Sequence, residues 1–337
     1  MDELLSDALR QLLRDQCTPQ RVREAEAGRL PASLWASLEA SGFADALVSE
    51  AQGGAGLALS DVFPLFVLCG SHAVPVPLVH TMLARGLLAR AGIDRPQGSI
   101  AITIVTSRNA GGMRCAHTPL GRVADWVLAC ESGGEGERSA WLAPTEEADA
   151  EPGVFALDAS LEWSAAAAGR ATRIAADFDV EALQACAAAA QLSGALMEVF
   201  NRTLQFANER QQFGRPIGKF QAIQHQLSVM AEHVFAARMA AQLGCYSKTA
   251  TPDRLRVAVA KARTSEAALE VAAAAHSIHG AIGFTAEFDL QLYTRRLHAW
   301  RQAAGSESRW HEVLGEALVD EPGRLALDLI RATTDVH

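Results

Sequence analysis

Apolar positions in the first part of the chain recur at the spacing of helices. Leu34 and Leu38 lie one turn apart on an apolar face, and a second apolar helix is predicted around residues 79–88. A glycine-rich break at residues 52–57 separates the two segments. We therefore expect residues 1–98 to form an N-terminal helical domain.

The pattern changes near residue 99, where apolar and β-branched residues alternate with small or polar ones. Shorter strand candidates follow this first one, at Ala124 to Cys130, Ala140 to Ala143 and Gly153 to Leu157. Gly133 to Glu137 is predicted to be a hairpin loop, because it lacks the strand-to-helix context of a dinucleotide-binding motif. Residues 99–178 are thus expected to form a small middle β domain.

A helical pattern returns at about residue 179 and continues to the end of the chain. Alanine runs near residues 185–190 and 267–275 favour helix and allow neighbouring helices to approach closely. We predict a four-helix bundle over residues 179–337, with helices that begin near residues 180, 217, 253 and 306. The predicted fold class is therefore mainly α with a small β domain.

Composition and charge narrow the class of function. The chain is 49% hydrophobic and 20% charged, which excludes a disordered tail. Its net charge of −9 argues against a nucleic-acid binder, whose surface would be basic. The sequence contains no run of 18 uncharged apolar residues, and its acidic, amphipathic start does not resemble a signal peptide. We therefore predict no membrane span.

The six cysteines give no sign of a metal site. They are far apart in the sequence, and no C-x-x-C pair or cluster of cysteine with histidine appears. A structural zinc site is therefore not expected, and we predict that the chain binds no metal. Scattered cysteines fit a reduced, cytoplasmic protein.

Three segments of the chain resemble the acyl-CoA dehydrogenase family. The most specific is Glu209 to Gln224, which contains the family pattern R-x-x-F-G-x-P-I-x-x-F-Q-x-x-Q. Ile278 to Phe288 is similar to the family segment H-G-G-x-G-[YF]-T-x-E-[YF], and Gly53 to Leu57 to the glycine-rich end of the N-terminal helices. The segments come in family order and together cover nearly the whole chain. The resemblance implies FAD as cofactor and a fold of N-terminal helices, middle β domain and C-terminal four-helix bundle.

The resemblance also implies which residues bind FAD. Arg210 corresponds to the arginine that reaches the FAD pyrophosphate of a neighbouring subunit, and a guanidinium suits that anion through charge-assisted hydrogen bonds. Gly280 would allow the backbone to approach the phosphates closely. The full predicted set is Arg210, Gln212, Phe213, Gln221, His279, Gly280 and Ala281. A purely structural role fits His279 and Gln221 equally well.

The general base of the family is missing from both of its usual positions. Members of the family remove the α-proton of the thioester with a carboxylate while the β-hydride passes to the flavin. This chain has Ala304 where most members carry the glutamate, and Gln184 where others carry it. Glu307 and Glu181 lie three residues from these positions and are the fallback carboxylates. We therefore assign no catalytic residue.

The middle domain resembles only part of its family counterpart. The T-E-P-x-x-G-S-D loop and the W-I-[ST] strand, which contact the flavin in other members, are not found between Thr103 and Trp126. Retention of the segments that serve a neighbour's cofactor, with loss of the base and flavin loops, resembles one chain type of the heteromeric α2β2 enzymes of bacterial sterol degradation. The resemblance therefore implies a subunit that completes the FAD site of an acyl-CoA α,β-dehydrogenase and has weak or no activity alone.

Two alternatives remain open from the sequence. The chain could be a homomeric acyl-CoA dehydrogenase with a relocated base, or a flavin-free helical-bundle interaction protein. An acyl-CoA substrate, a second acyl-CoA dehydrogenase-like subunit and an electron-transfer flavoprotein are the partners that the resemblance implies. A shortened β domain favours a bulky CoA thioester, but the sequence does not identify the acyl group.

Overall fold

The chain folds mainly into helices, as the sequence predicts. The computed structural model describes residues 2–132, 138–320, 323 and 325–335, so the predicted loop at Gly133 to Glu137 lies outside the described residues. The described α-helices are α1 (Asp2–Gln16), α2 (Pro19–Glu26), α3 (Ala32–Ala40), α4 (Leu59–Ser71), α5 (Leu78–Arg90), α6 (Ala165–Ala168), α7 (Val180–Glu209), α8 (Gln221–Gly244), α9 (Arg254–His279), α10 (Leu290–Gln302), α11 (Glu307–Val319) and α12 (Ala326–Thr334). The predicted fold class is confirmed.

The described strands form two sheets and one short hairpin. They are β1 (Ile100–Ile104), β2 (Met113–Thr118), β3 (Trp126–Cys130), β4 (Ser139–Pro144), β5 (Asp149–Pro152), β6 (Ala159–Trp163), β7 (Thr172–Ala175), β8 (Gln211–Gln212) and β9 (Arg215–Pro216). The first sheet has the order β1-β3-β4-β7, in which β1 and β3 run parallel and the other pairs antiparallel. The second, β2-β6-β5, is antiparallel, and β8 pairs with β9 in the hairpin.

One predicted strand, Gly153 to Leu157, is wrong. This segment is the turn that joins β5 to β6, and Gly153 N donates a hydrogen bond to Asp158 O at 2.9 Å across it. Asp158 N in turn donates to Phe155 O at 3.0 Å. The apolar side chain of Val154, which favoured a strand, is exposed on this turn.

The chain folds into two compact units. The first comprises Met1–Leu65, Val74–Gln184 and Ser247–Thr251, and the second comprises Phe66–Ala73, Ala185–Tyr246 and Pro252–His337. The strands of the two sheets therefore share the first unit with the N-terminal helices. The boundaries of the three predicted domains stay a prediction.

In the first unit, polar side chains of α5 fix the strand β1. Thr81 Oγ1 accepts a hydrogen bond from Ile100 N at 2.9 Å, and His80 Nδ1 accepts one from Ile102 N at 3.3 Å. Burial lowers the pKa of His80 to about 4, so the imidazole stays neutral and keeps the lone pair that this bond needs. The backbone of β1 is therefore held in one place from its N-terminal end.

In the second unit, glycines allow α4 and α7 to touch backbone to backbone. A Cβ placed on Gly194 would lie 2.0 Å from Val67 O, and one placed on Gly70 would lie 2.0 Å from Gln191 O. Any side chain at either position would therefore push the two helices apart. This close approach agrees with the small-residue composition that the sequence showed for α7.

The long helices of the C-terminal region begin close to the predicted positions. α7, α9 and α11 begin at Val180, Arg254 and Glu307, whereas α8 begins four residues later than predicted because Ile217–Lys219 forms a 3-10 turn first. α7 is also the one described helix that is long and apolar enough to cross a membrane. However, 78% of its most apolar window is buried within the protein, as for the core helix of a globular fold.

Candidate cofactor-binding site

The R-x-x-F-G segment forms a tight hairpin with a strained aromatic residue at its tip. Phe213 and Gly214 connect β8 to β9, and both have positive φ angles, 52° and 77°. Two consecutive positive φ angles define the type I′ hairpin turn, which glycine and asparagine usually occupy. Left-handed backbone at a phenylalanine costs about 1–2 kcal/mol. The strained backbone nevertheless leaves the Phe213 side chain 91% exposed.

The backbone of Arg210 is fixed by hydrogen bonds, whereas its side chain has no partner among the described residues. Arg210 N donates to Phe206 O at 2.8 Å, and Arg210 O accepts from Ile217 N at 2.8 Å. The side chain is exposed, and its guanidinium makes no hydrogen bond or ion pair with any residue that the structure describes. All five N–H donors of Arg210 are therefore available to an anion from outside the chain.

The base of the hairpin carries a second arginine and the start of α8. Phe220 contacts the Phe213 ring edge-on, with centroids 6.1 Å apart, and the Arg215 guanidinium lies 4.2 Å from the centroid of Phe220. Gln221 is the first residue of α8 and is exposed, as is Gln212 on β8. The hairpin thus presents four of the predicted cofactor-binding residues, Arg210, Gln212, Phe213 and Gln221, on its exposed side.

His279 ends α9 with its ring buried and one nitrogen unpartnered. The side chain is 5% exposed, and Nδ1 donates to Ala275 O at 2.8 Å, which leaves Nε2 as a neutral acceptor. Burial lowers the pKa of His279, and this favours the neutral ring. Nε2 is buried and has no hydrogen-bond partner among the described residues. A neutral acceptor pairs with a hydroxyl or amide donor rather than with a phosphate oxygen.

Gly280 has a backbone conformation that other residues avoid. Its φ is 65° and its ψ is −146°, a region that is essentially restricted to glycine. A Cβ built on Gly280 would meet nothing within 4 Å, so the constraint is conformational rather than steric. Ala281 follows it in an exposed 3-10 turn. The turn therefore exposes backbone at a point with free space in front of it.

Phe206 joins the two predicted segments, and sequence reasoning missed it. Its ring stacks on His279, with centroids 4.3 Å apart and planes 27° apart, and its carbonyl accepts from Arg210 N. Phe288 closes the cluster at 5.2 Å from His279. An aromatic residue one helical turn before Arg210 was the available signal. The structure thus brings the hairpin and the His279–Gly280 turn to the same end of the second unit.

Gln184, at the first position where the resemblance implies a base, makes a structural hydrogen bond. Gln184 Nε2 donates a hydrogen bond to Ile102 O at 2.8 Å, which ties α7 to β1 within the first unit. A carboxylate at this position could not donate that bond. Glu181 lies in the first turn of α7, where the helix dipole favours a negative charge. Gln184 is an amide, so it cannot take up a proton as a carboxylate does.

Ala304, at the second position where the resemblance implies a base, lies in a turn flanked by an ion pair. Ala304 has a φ of 53° and follows the end of α10. Glu307 forms an ion pair with Arg301. Burial alone would raise the pKa of Glu307, but the hydrogen bond and charge of Arg301 lower it below its usual value. A carboxylate with a lowered pKa is a weak base, so Glu307 is poorly suited to the fallback role.

Comparison with known proteins places this geometry in a family. Residues 2–97 match the family model of the acyl-CoA dehydrogenase N-terminal domain, and residues 171–319 match that of the acyl-CoA dehydrogenase C-terminal domain. The acyl-CoA dehydrogenase IpdE2 of Mycolicibacterium smegmatis is 31% identical over 313 residues, which cover 90% of this chain and 94% of that protein. The chain belongs to the acyl-CoA dehydrogenase family.

Solved structures of other acyl-CoA dehydrogenase-like proteins share the fold of this one. A chain of the ChsE4-ChsE5 complex from Mycobacterium tuberculosis superposes with a TM-score of 0.81 at 21% identity, covering 96% of this chain and 98% of that one. A chain of the Tcur3481-Tcur3483 steroid ACAD G363A variant does so with a TM-score of 0.80 at 24% identity, covering 95% and 98%. The predicted family and fold are therefore confirmed.

The exposed groups of this member of the acyl-CoA dehydrogenase family fit the FAD that the family uses. The unpartnered guanidinium of Arg210 suits a pyrophosphate, and the exposed ring of Phe213 suits a flat aromatic surface. The open space at Gly280 admits a bulky group against the backbone, and the orphaned His279 Nε2 would accept from a hydroxyl of the cofactor. The described residues contain no cluster of three or more metal-ligating side chains.

Proposed function

We propose that the chain is the FAD-site-completing subunit of a heteromeric acyl-CoA dehydrogenase, with weak or no dehydrogenase activity on its own. The observation that carries this proposal is a difference in hydrogen bonding between two sets of side chains. Arg210 at the cofactor end has no described partner, whereas Gln184 and the turn at Ala304 are committed to bonds inside the chain. A subunit that binds a cofactor held mainly by its partner would need the exposed guanidinium of Arg210. It would not need a carboxylate at either family base position.

The residues of the chain would then act by binding and orienting. Arg210 would hold the pyrophosphate of the partner's FAD, and Phe213 and Gln212 would cover its surface. Gly280 would bring backbone close to the phosphates, and His279 and Ala281 would shape that turn. FAD supplies the hydride acceptor for the α,β-dehydrogenation of an acyl-CoA thioester. The carboxylate that removes the α-proton would come from the partner chain.

An exposed apolar stripe on α8 supports an oligomer. Phe235 is 54% exposed, and Met239, which lies one turn later on the same face of α8, is 74% exposed. Apolar side chains at this exposure are expected to be covered by another protein. Because a chain with this fold occurs in the ChsE4-ChsE5 complex and another in Tcur3481-Tcur3483, we propose an acyl-CoA dehydrogenase-like partner for this stripe.

We propose a bulky, steroid-derived CoA thioester as substrate of the assembly. The shortened middle domain favours a large acyl group, and the similar Tcur3481-Tcur3483 protein is a steroid enzyme by its name. An electron-transfer flavoprotein would reoxidise the reduced cofactor. The proposal keeps a cytoplasmic location and the functional division into residues 1–98, 99–178 and 179–337.

A steady-state assay with an artificial electron acceptor tests this function. The chain alone and the chain co-expressed with an acyl-CoA dehydrogenase-like partner would be compared on short, long and steroid-side-chain CoA esters. We expect turnover by the assembly, with the steroid ester preferred, and little or none by the chain alone. Robust turnover by the pure chain would support the homomeric alternative, and Glu307 and Glu181 would then be the first carboxylates to replace. Absence of flavin from every assembly would support the flavin-free alternative.

A further inference from the structure

Two buried cysteines from different helices lie sulfur to sulfur in the second unit. Cys186 is on α7 and Cys245 directly follows α8, and the two residues are 1% and 0% exposed. Their Sγ atoms are 3.3 Å apart, so one thiol donates a hydrogen bond to the other. Both are free cysteines. The pair is therefore a dithiol inside the fold, although 58 residues of sequence separate its members.

A small movement would convert this hydrogen bond into a disulfide. Bonded sulfurs lie about 2.0 Å apart, so the two Sγ atoms, now 3.3 Å apart, need to approach by about 1.3 Å. The backbone of α8 is close as well, since Cys186 Sγ lies 3.5 Å from Gly244 O. A Cβ on Gly244 would lie 2.5 Å from Ala260 Cβ, so this end of α8 is tightly packed against α9. We therefore expect rotation of the two cysteine side chains, rather than a shift of the helices, to close the distance.

The fold slows the reaction of these thiols but leaves a route to them. The hydrogen bond with Cys186 and burial raise the pKa of the Cys245 thiol, so it is protonated at neutral pH and reacts slowly. Cys245, however, stands at the end of α8, and residues 246–251 after it are exposed or half-buried. Helix ends open locally more often than a whole domain unfolds. A small oxidant can therefore reach the sulfurs from this end.

We propose that Cys186 and Cys245 form a redox pair, which a peroxide converts into a disulfide that links α7 to the end of α8. One cysteine, as its thiolate, attacks a peroxide oxygen and becomes a sulfenic acid, and its proton leaves with the other oxygen as water. The second thiol attacks the sulfenic sulfur, the S–S bond forms, and another water molecule leaves. Two thiols thus lose two electrons in total, and one hydrogen peroxide is reduced to two molecules of water. A dithiol reductant reverses the reaction by exchange.

The disulfide would close a long segment of the chain at its base. Residues 186–245 contain most of α7, the β8–β9 hairpin and all of α8. A crosslink between the ends of such a segment restricts the unfolded chain more than the folded one, and this stabilises the fold. The oxidised chain should therefore be more stable than the reduced chain. The pair belongs to the chain alone, so the inference does not depend on the proposed function.

Peroxide oxidation of the purified chain tests the redox pair. The reduced chain would be treated with hydrogen peroxide, unfolded in an alkylating reagent and digested without reductant for mass spectrometry. We expect two peptides linked through Cys186 and Cys245, lighter by two hydrogen atoms than the separate peptides, which dithiothreitol separates. The midpoint of thermal unfolding should rise by about 5 °C on oxidation. Recovery of both cysteines as alkylated or singly oxidised residues, without the linked peptides, would overturn the proposal.

The matched control is Cys130→Ala. Cys130 is also a buried free cysteine, but its Sγ lies 3.7 Å from a carbonyl oxygen, Leu128 O. This variant should keep the linked peptides and the rise in unfolding midpoint, whereas Cys186→Ala and Cys245→Ala should each lose both. An equal rise in Cys186→Ala would show that another change stabilises the oxidised chain, and would overturn the proposal. Links from Cys186 to several cysteines in similar yield would show oxidation of unfolded chain, with the same consequence.

Discussion

Polar side chains at the cofactor end of the second unit lack hydrogen-bond partners within the described chain, whereas those at the two family base positions have them. At the cofactor end, the Arg210 guanidinium has no partner among the described residues and the His279 Nε2 is orphaned. At the base positions, Gln184 bonds to Ile102 O and the turn at Ala304 is held by buried side chains. The buried His279 Nε2 is costly without a partner, whereas the exposed guanidinium of Arg210 is hydrated and free to bind an anion.

The difference suggests how a subunit can keep one half of a shared site and lose the other. In the proposed subunit the first base position would not be empty, because Gln184 serves the fold there through its hydrogen bond to Ile102 O. Restoring a carboxylate at Gln184 would therefore break a structural bond rather than recreate a catalyst. The cofactor end has a left-handed phenylalanine at Phe213 and a backbone conformation restricted to glycine at Gly280.

Replacement of Arg210 is expected to have the largest effect on the cofactor. Hydrogen bonds to a charged group contribute about 1.5–3 kcal/mol, so Arg210→Ala should weaken FAD binding by the assembly about 10- to 100-fold. Arg210→Lys should recover only part of this loss, because the ammonium lacks the bidentate geometry. FAD titration of the apo-assembly, followed by flavin fluorescence, measures both values.

The control for this experiment is Arg29→Ala, which removes an exposed arginine of the first unit paired with Glu24. It should leave FAD binding unchanged. The Arg210→Ala chain alone should also melt at the wild-type temperature, since Arg210 has no side-chain partner to lose. Unchanged FAD affinity in Arg210→Ala would contradict a role of Arg210 in cofactor binding.

Gln184→Glu tests whether the first base position still has a catalytic geometry. The variant loses the donor to Ile102 O and places a carboxylate against a carbonyl oxygen, so the free energy of unfolding should fall by about 1–3 kcal/mol. Gln184→Leu, which loses the donor without adding charge, should lose less. Urea unfolding and the dehydrogenase assay are the measurements. A gain of turnover in Gln184→Glu would contradict a structural role for this position.

Gly280→Ala tests whether the strained turn is needed. An alanine at this backbone conformation should cost about 1–3 kcal/mol of stability and should also weaken FAD retention. Gly315→Ala is the matched control, because Gly315 lies inside α11 with free space around it. Alanine favours a helix over glycine, so this variant should be slightly more stable than the wild type. If the two variants melt alike and retain FAD alike, the backbone of Gly280 has no special role.

Glu181→Gln is expected to have the smallest effect. Glu181 lies in the N-terminal turn of α7, where its charge favours the helix, so turnover of the assembly should change by less than about threefold. Loss of a general base would cost about 10²–10⁴-fold. Turnover of the assembly at saturating substrate measures this. A large loss at unchanged FAD content would identify Glu181 as a relocated base.

The sequence predicted the fold well because its signals were local. The predicted helix starts near residues 180, 253 and 306 agree with the observed starts at Val180, Arg254 and Glu307, and the family motifs pointed to the cofactor end. The strand predicted at Gly153 to Leu157 was wrong, because an exposed Val154 in a turn has the same local pattern as one in a strand.

The missing parts of the site depend on contacts between distant residues. Nothing in the order of residues shows that Phe206 stacks on His279 or that Lys261 reaches the carbonyls of residues 301 and 305. The resemblance implies that Gln184 and Ala304 stand where other members carry a carboxylate, but it does not show what those positions do instead. Such pairings are set by packing, which only the three-dimensional structure reveals.

The most direct test of the central claim is the count of FAD per assembly by native mass spectrometry. The chain alone and the chain with its acyl-CoA dehydrogenase-like partner would be measured under the same conditions. The account predicts no FAD on the chain alone, and one FAD for each partner chain in a mixed assembly that loses FAD when Arg210→Ala is present. A homomeric assembly of this chain that carries one FAD per chain would contradict it.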